Sequence, residues 1–231
     1  MTVLGSGSAL PTAQRASSGY LVEWSGGALL LDLSAGTWTR ALRAGLDPRK
    51  LRAIALSHLH PDHTGDLIGA LWAHEMDANR AAPLRFAGPE GTAELLDRAR
   101  GLYAPWGDWF EAPFGVCGYP FEIEGLSVEA FPARHSPEAV CLRISAEGTT
   151  LAYSGDSEDC PGLREACRDA DLALLECTAA EPAKGHMTAA DCARVVQAAQ
   201  PRQVLLTHLG PGVVSDLPLA EDGMTVRLRS P

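Results

Sequence analysis

The sequence predicts an α+β fold in which two β-sheets pack together and helices flank them. Three observations predict it. Runs with β-type patterning and runs with helical periodicity alternate along the chain, so sheet and helix must form separate layers. The 231 residues are 46% hydrophobic, enough to build a sizeable core. Six of the seven histidines (58, 60, 63, 135, 186 and 208) lie where predicted strands end or loops begin, as expected if distant strands present their ends to one site.

The elements follow in order. Residues 2–4, 19–24 and 28–33 carry β-type patterning, with Ser25-Gly26-Gly27 as a hairpin-type turn between the last two. Residues 40–44 read as helix and 51–56 as strand. Thr64-Gly65-Asp66 opens a helix that carries Leu67, Ile68, Leu71 and Trp72 and runs to Met76. A strand at 84–87 and a helix at 90–101 come next. After Pro120 the pattern gives strands at 126–131 and 140–144, a hairpin turn through Glu147-Gly148, and a strand at 150–153. The tail adds a strand at 172–175, a helix at 188–199, and strands at 203–207 and 225–228. Glycine and proline are spread rather than gathered in a linker, so residues 1–231 are expected to form one domain.

Composition narrows the function classes. The formal net charge of −10 argues against a broad electrostatic footprint on nucleic acid, and it leaves a small anionic molecule as the expected substrate once bound cations supply local positive charge. No apolar run approaches the roughly 20 residues of a membrane helix, and no basic segment followed by a long apolar stretch opens the chain. The expectation is therefore a cytoplasmic protein with no membrane partner, and a homodimer is compatible with it. Cysteines 117, 141, 160, 167, 177 and 192 are irregularly spaced and form no Cys-x-x-Cys pair, so free thiols are expected.

Ser57-His58-Leu59-His60-Pro61-Asp62-His63 gathers three imidazoles and a carboxylate directly after an apolar strand. Imidazole and carboxylate are the ligand types of borderline divalent metals, and a strand-to-helix loop can turn His58 and His60 to one point and Asp62 and His63 to another. One loop cannot complete two coordination shells. The remainder is available at other strand ends: His135 after Phe131-Pro132, Asp156 after Ser154-Gly155, and His208 after Thr207. His74 falls within a predicted helix and reads as a helix-surface residue outside the site.

With these segments in view, the chain resembles the metallo-β-lactamase-fold hydrolases. The resemblance rests on the His-x-His-x-Asp-His loop, His135, the Gly155-Asp156 turn and Thr207-His208, which together cover most of the chain. The opening Leu4-Gly5-Ser6-Gly7-Ser8-Ala9-Leu10-Pro11-Thr12, the segment Leu31-Asp32-Leu33-Ser34-Ala35-Gly36-Thr37 and His186-Met187-Thr188 look like the ribonuclease Z branch and its phosphodiesterase-like relatives. The resemblance implies a four-layer αββα sandwich with a metal centre along one edge. It implies that His58, His60 and His135 hold one metal, that Asp62, His63 and His208 hold the other, and that Asp156 bridges them. Two divalent ions so placed share a water and lower its pKa, which makes a hydroxide nucleophile available near pH 7. Ligands without thiolate suit Zn2+, and Mn2+ or iron would also tolerate the set.

The resemblance also implies roles beyond the ligands. His186 corresponds to a histidine that assists the leaving oxygen of a phosphodiester, so His186 and Asp62 are the candidate catalytic residues, with Asp62 orienting the water or accepting its proton. Thr188 and Asp191 have capping-box-like spacing, so His186 also stands at a helix start. Glu176, at a strand end, is a candidate to orient His186 or a ligand. The Gly5-Ser6-Gly7-Ser8 loop offers backbone N–H groups to an anion or is simply a tight connection. Tyr103, Trp106, Trp109 and Phe110 form either a lid or packed loop residues. Ribonuclease Z enzymes usually carry a long transfer-RNA-gripping arm between the third histidine and the bridging aspartate. Only twenty residues separate His135 from Asp156 here. A small phosphodiester is therefore the expected substrate. Transfer-RNA processing, and hydrolysis of an ester, lactone, thioester or β-lactam, are the alternatives, and a non-catalytic metal-binding role stands last.

Overall fold

In the computed structural model, residues 1–77, 84–103, 105 and 115–228 are described. Strands β1 (Thr2–Gly5), β2 (Gly19–Trp24), β3 (Gly27–Leu31), β4 (Leu51–Ala55), β5 (Arg85–Ala87) and β6 (Gly115–Cys117) form the first sheet, in that order. Strands β7 (Phe121–Ile123), β8 (Leu126–Pro132), β9 (Val140–Ala146), β10 (Thr149–Tyr153), β11 (Leu172–Glu176) and β12 (Val204–Thr207) form the second. Helices α1 (Thr37–Arg43), α2 (Pro61–Thr64), α3 (Leu67–Met76) and α4 (Thr92–Tyr103) follow strands of the first sheet, and α5 (Pro161–Cys167) and α6 (Ala189–Ala199) follow strands of the second.

Burial explains the layering. Along β3, Leu29 and Leu31 join an apolar cluster with Leu142, Ile144 and Tyr153 of the other sheet. The alternate residues Ala28 and Leu30 pack with Trp38, Leu67 and Leu71 of the helices. Likewise Leu172 and Leu174 of β11 face the first sheet, while Ala173 and Leu175 meet Leu163, Cys192 and Val195 of α5 and α6. Strands buried on both faces must be apolar throughout, which is why β3 and β11 read as unbroken hydrophobic runs rather than alternating ones. Each fully buried leucine contributes roughly 2 kcal/mol by removal from water. The result is the α+β αββα sandwich.

Several boundaries differ from the sequence reading. The segment 225–228 is not a strand: Thr225 makes one isolated bridge to Thr2, and Val226 N–H to Met1 O, the Met1 amino group to Val226 O and the bond between the Thr2 and Thr225 hydroxyls tie it to the β1 edge. β6 and β7 are strands that the sequence does not mark, since three residues carry too little periodicity to register. Also unassigned was α5, although Pro161 at its first turn, after Cys160, is a start signal. β3 stops at Leu31 because Asp32 turns left-handed, with φ 54°. The two hairpins form as expected, with Trp24 paired to Gly27 and Thr149 to Ala146. His74 is on α3 but is buried rather than surface-facing, its ring edge-on to Trp38. All six thiols are free. No helix among the described residues is long and apolar enough to cross a membrane.

Candidate metal centre

Strand direction brings the predicted residues to one edge. β3 and β4 are parallel, so Asp32 and the 57–63 loop leave the first sheet side by side. In the second sheet β8 and β10 each pair antiparallel to β9, while β10, β11 and β12 are mutually parallel. His135, Asp156, Glu176 and His208 therefore all follow strand ends that point the same way. Pro61 starts α2, and its short turn swings Asp62 and His63 back over the sheet edge.

Two groups result. Ligand-type atoms of His58, His60 and His135 lie within 4.8 Å of one another, and so do those of Asp62, His63, Asp156 and His208. Asp156 stands between them. Its Oδ2 is 3.8 Å from His58 Nε2 and 3.9 Å from His135 Nε2, whereas Oδ1 is 3.3 Å from His63 Nε2 and 3.4 Å from His208 Nε2. Asp62 Oδ2 reaches His208 Nε2 at 3.3 Å and His63 Nε2 at 3.5 Å. His60 Nδ1 faces His135 Nε2 at 3.0 Å on the exposed side of the centre.

The outer hydrogen bonds decide which nitrogens are free for a cation. His63 Nδ1–H donates to Asp32 Oδ2 at 2.7 Å and His135 Nδ1–H to Gly185 O at 2.9 Å. Ser57 Oγ spends its proton on Asp32 Oδ2, so at 3.1 Å it accepts from His58 Nδ1–H. Thr178 Oγ1 donates to His208 O, so at 2.6 Å it accepts from His208 Nδ1–H. In each neutral ring the Nε2 lone pair then points inward. Two inward nitrogens, those of His63 and His208, are 3.3 Å apart. The buried His58 Nε2 and Asp156 Oδ1 have no hydrogen-bond partner among the described residues. Converging lone pairs and unpaired carboxylate oxygens are repulsive unless a cation lies among them, so this donor set fits divalent metal.

Electrostatics agree. Burial alone would lower the His63 pKa, but Asp156 and Asp32 outweigh it and hold the ring well above the usual imidazole range: the pocket favours positive charge at that point. Burial, reinforced by His63, pushes His58 down to about 3, so it stays a neutral donor. Burial would also raise Asp62, but its bonds to His208 and His63 hold it far below the usual carboxylate range.

Asp32 is a functional group that the sequence pattern does not single out. It is fully buried and accepts from Ser57 N–H, Ser57 Oγ–H, His63 Nδ1–H and the Tyr153 hydroxyl, at 2.6–2.7 Å. Its signal in the sequence was a lone carboxylate closing an otherwise apolar strand. His186 lies beside the two groups, Nδ1 donating to Glu176 Oε1 at 2.9 Å and lying 4.0 Å from Asp156 Oδ2. The bond to Glu176 raises its pKa above the usual value against the effect of burial. Thr188 caps α6 reciprocally with Asp191, as the spacing predicts. The opening loop is a tight connection: Ser6 N–H donates to Asp222 Oδ1 and Gly7 N–H to Ala16 O, which consumes donors an anion would need. Trp106, Trp109 and Phe110 lie outside the described residues.

Gly155 shows how closely the edge is packed. Its φ is 54°, and a β-carbon there would sit 2.6 Å from Ser57 Cβ. Gly155→Ala is expected to destabilise the fold by roughly 2 kcal/mol or more, measured by urea unfolding. A parental unfolding midpoint would refute that packing argument.

A family model described as the beta-lactamase superfamily domain matches residues 29–209. A ribonuclease Z of Mycobacterium marinum is 32% identical in an alignment covering 71% of this chain and 65% of that protein, so the chain spans about two thirds of that relative's length. Among solved structures, human tRNase Z, short form, superposes with a TM-score of 0.82 at 24% identity, covering 99% of this chain and 98% of that one. A diphosphatase from the PhnP family superposes at 0.77 with 19% identity, covering 99% and 97%. The chain belongs to the beta-lactamase superfamily domain family and has the metallo-β-lactamase fold.

Proposed function

We propose that the chain is a phosphodiesterase that binds two divalent cations, zinc suiting the donor set best, and hydrolyses small phosphodiesters. The observation that carries this reading is the His186–Glu176 pair, 4.0 Å from the shared Asp156. Departure of an alkoxide from phosphorus calls for a proton, and an imidazole held by a buried carboxylate stores one. Cations bound among the two donor groups would supply Lewis-acid activation of water and neutralise phosphoryl charge.

The side chains divide the remaining work. His58, His60 and His135 form one donor set, and Asp62, His63 and His208 the other, with Asp156 offering one oxygen to each. Asp62, ionised and partly exposed, can also accept a hydrogen bond from the attacking water. His186, raised in pKa by Glu176, donates its proton to the leaving oxygen.

The small-substrate reading is supported by the span from His135 to Asp156, which is filled by the β9–β10 hairpin. The second reading is processing of an RNA, which the mycobacterial relative's designation as a ribonuclease Z favours. An acidic composition does not exclude RNA where bound cations face the substrate. Turnover of bis(p-nitrophenyl) phosphate, a precursor transfer RNA, nitrocefin and a lactone, measured side by side, separates the readings. The proposal expects the aryl phosphodiester to lead; exclusive cleavage of the RNA, or of a carbonyl substrate, overturns it.

Chelation is expected to abolish turnover and lower the unfolding temperature, with recovery on adding Zn2+. Free metal at 1,000 times its Kd contributes about 4 kcal/mol of stability by mass action. Unchanged melting and undiminished turnover after verified metal removal would exclude a metal-dependent reaction.

A further inference from the structure

The tripeptide Glu176-Cys177-Thr178 at the end of β11 reaches two site imidazoles. Glu176 holds His186 Nδ1, and Thr178 holds His208 Nδ1. The tripeptide is itself fixed, since Thr178 N–H donates to Glu176 Oε2 at 2.9 Å and Cys177 N–H to Thr207 O at 2.8 Å. The His186 and His208 rings consequently stand nearly parallel, 11° apart in plane and 6.1 Å between centres.

We infer that Thr178 is a positioning residue for the second cation group, setting both the tautomer and the backbone of His208. The inference rests on the reading of His208 as a cation ligand. The Thr178 hydroxyl has one proton, and it is donated to His208 O at 3.0 Å. Towards Nδ1 the oxygen is then an acceptor only. The proton of neutral His208 is thereby confined to Nδ1, and Nε2 turns its lone pair to Asp62, His63 and Asp156.

The same hydroxyl holds the backbone. His208 adopts φ 49°, a left-handed conformation costly for a residue with a β-carbon, and its carbonyl is one of the two Thr178 contacts. The chain beyond presses close: a β-carbon at Gly210 would fall 2.0 Å from Thr178 O. His63 leans on a carboxylate, His135 on a backbone carbonyl and His58 on a serine anchored by Asp32. His208 alone relies on a hydroxyl that also holds its own backbone.

Valine matches threonine in shape and lacks the oxygen. In Thr178→Val the Nδ1–H loses its acceptor, and the proton can move to Nε2, where it competes with the cation. Zn2+ binding to the parent, Thr178→Val and Thr178→Ser is titrated against a chromogenic chelator, with 15N shifts of His208 reporting the tautomer in the metal-free proteins. The inference expects two sites in the parent and one of them weakened roughly 10- to 100-fold in the valine variant. The His208 tautomer shifts there, and serine restores both. Equal affinities in parent and valine variant overturn it, as does a serine variant as weak as valine, which would make the role one of packing. A parent that binds fewer than two Zn2+ overturns the two-cation reading beneath it. Urea unfolding of all three variants separates lost affinity from lost folding.

Discussion

Replacing His186 by alanine is expected to cut phosphodiester turnover by roughly 10²–10⁴ while bound metal stays unchanged, the range in which a positioned general acid contributes. His186 Nδ1 is held by Glu176, and neither the His58–His60–His135 group nor the Asp62–His63–Asp156–His208 group includes His186, so its loss leaves both intact. The leaving group provides the sharper check. A p-nitrophenolate leaves without needing a proton, whereas an alkoxide does not, so the defect should grow as the leaving-group pKa rises. Equal activity at equal metal content, or a defect indifferent to the leaving group, would remove the acid role. Glu176→Gln should weaken turnover in the same leaving-group-dependent manner, because the amide supports a protonated ring less well than a carboxylate does.

The second large effect is expected at Asp32. Asp32→Ala strips the acceptor from Ser57 N–H, the Ser57 hydroxyl, His63 and Tyr153 at once, in a fully buried site. Burial alone would raise this carboxyl, but the charge of His63 and its hydrogen bond outweigh it and keep the group ionised. Removing one partner of such a buried network costs about 3–5 kcal/mol. Alanine must in addition accept the left-handed backbone at φ 54°. Asn tolerates that backbone and keeps the volume, so Asp32→Asn should fold while binding metal roughly 10- to 100-fold more weakly. Chemical unfolding and metal titration of both variants provide the test. An alanine variant within about 0.5 kcal/mol of the parent, the range of neutral surface changes, would show that Asp32 is not the anchor of this edge.

The sandwich was legible where strands are buried on both faces, since β3, β4, β10, β11 and β12 are apolar over most of their length. It was illegible at β6, β7 and the 225–228 edge, where short segments take or lose strand form through neighbours distant in sequence. The donor residues were legible because imidazoles and carboxylates after apolar runs have few structural uses at that spacing. Asp32 and Thr178 were not, because an Asp or Thr after a strand is ordinary until its partner is known. Tyr153 is far along the chain from Asp32, and His208 follows Thr178 only after an intervening helix.

Sequence by itself determined which side chains can donate to a cation and the order in which strands deliver them, because both follow from residue chemistry and local periodicity. Tertiary structure alone decided which nitrogen of each ring faces inward, that Asp156 divides its oxygens between two groups, and that His186 leans on Glu176. A ring's free lone pair is set by what holds its other nitrogen, and three of those holders, Asp32, Gly185 and Thr178, reach their histidines only when the chain has folded.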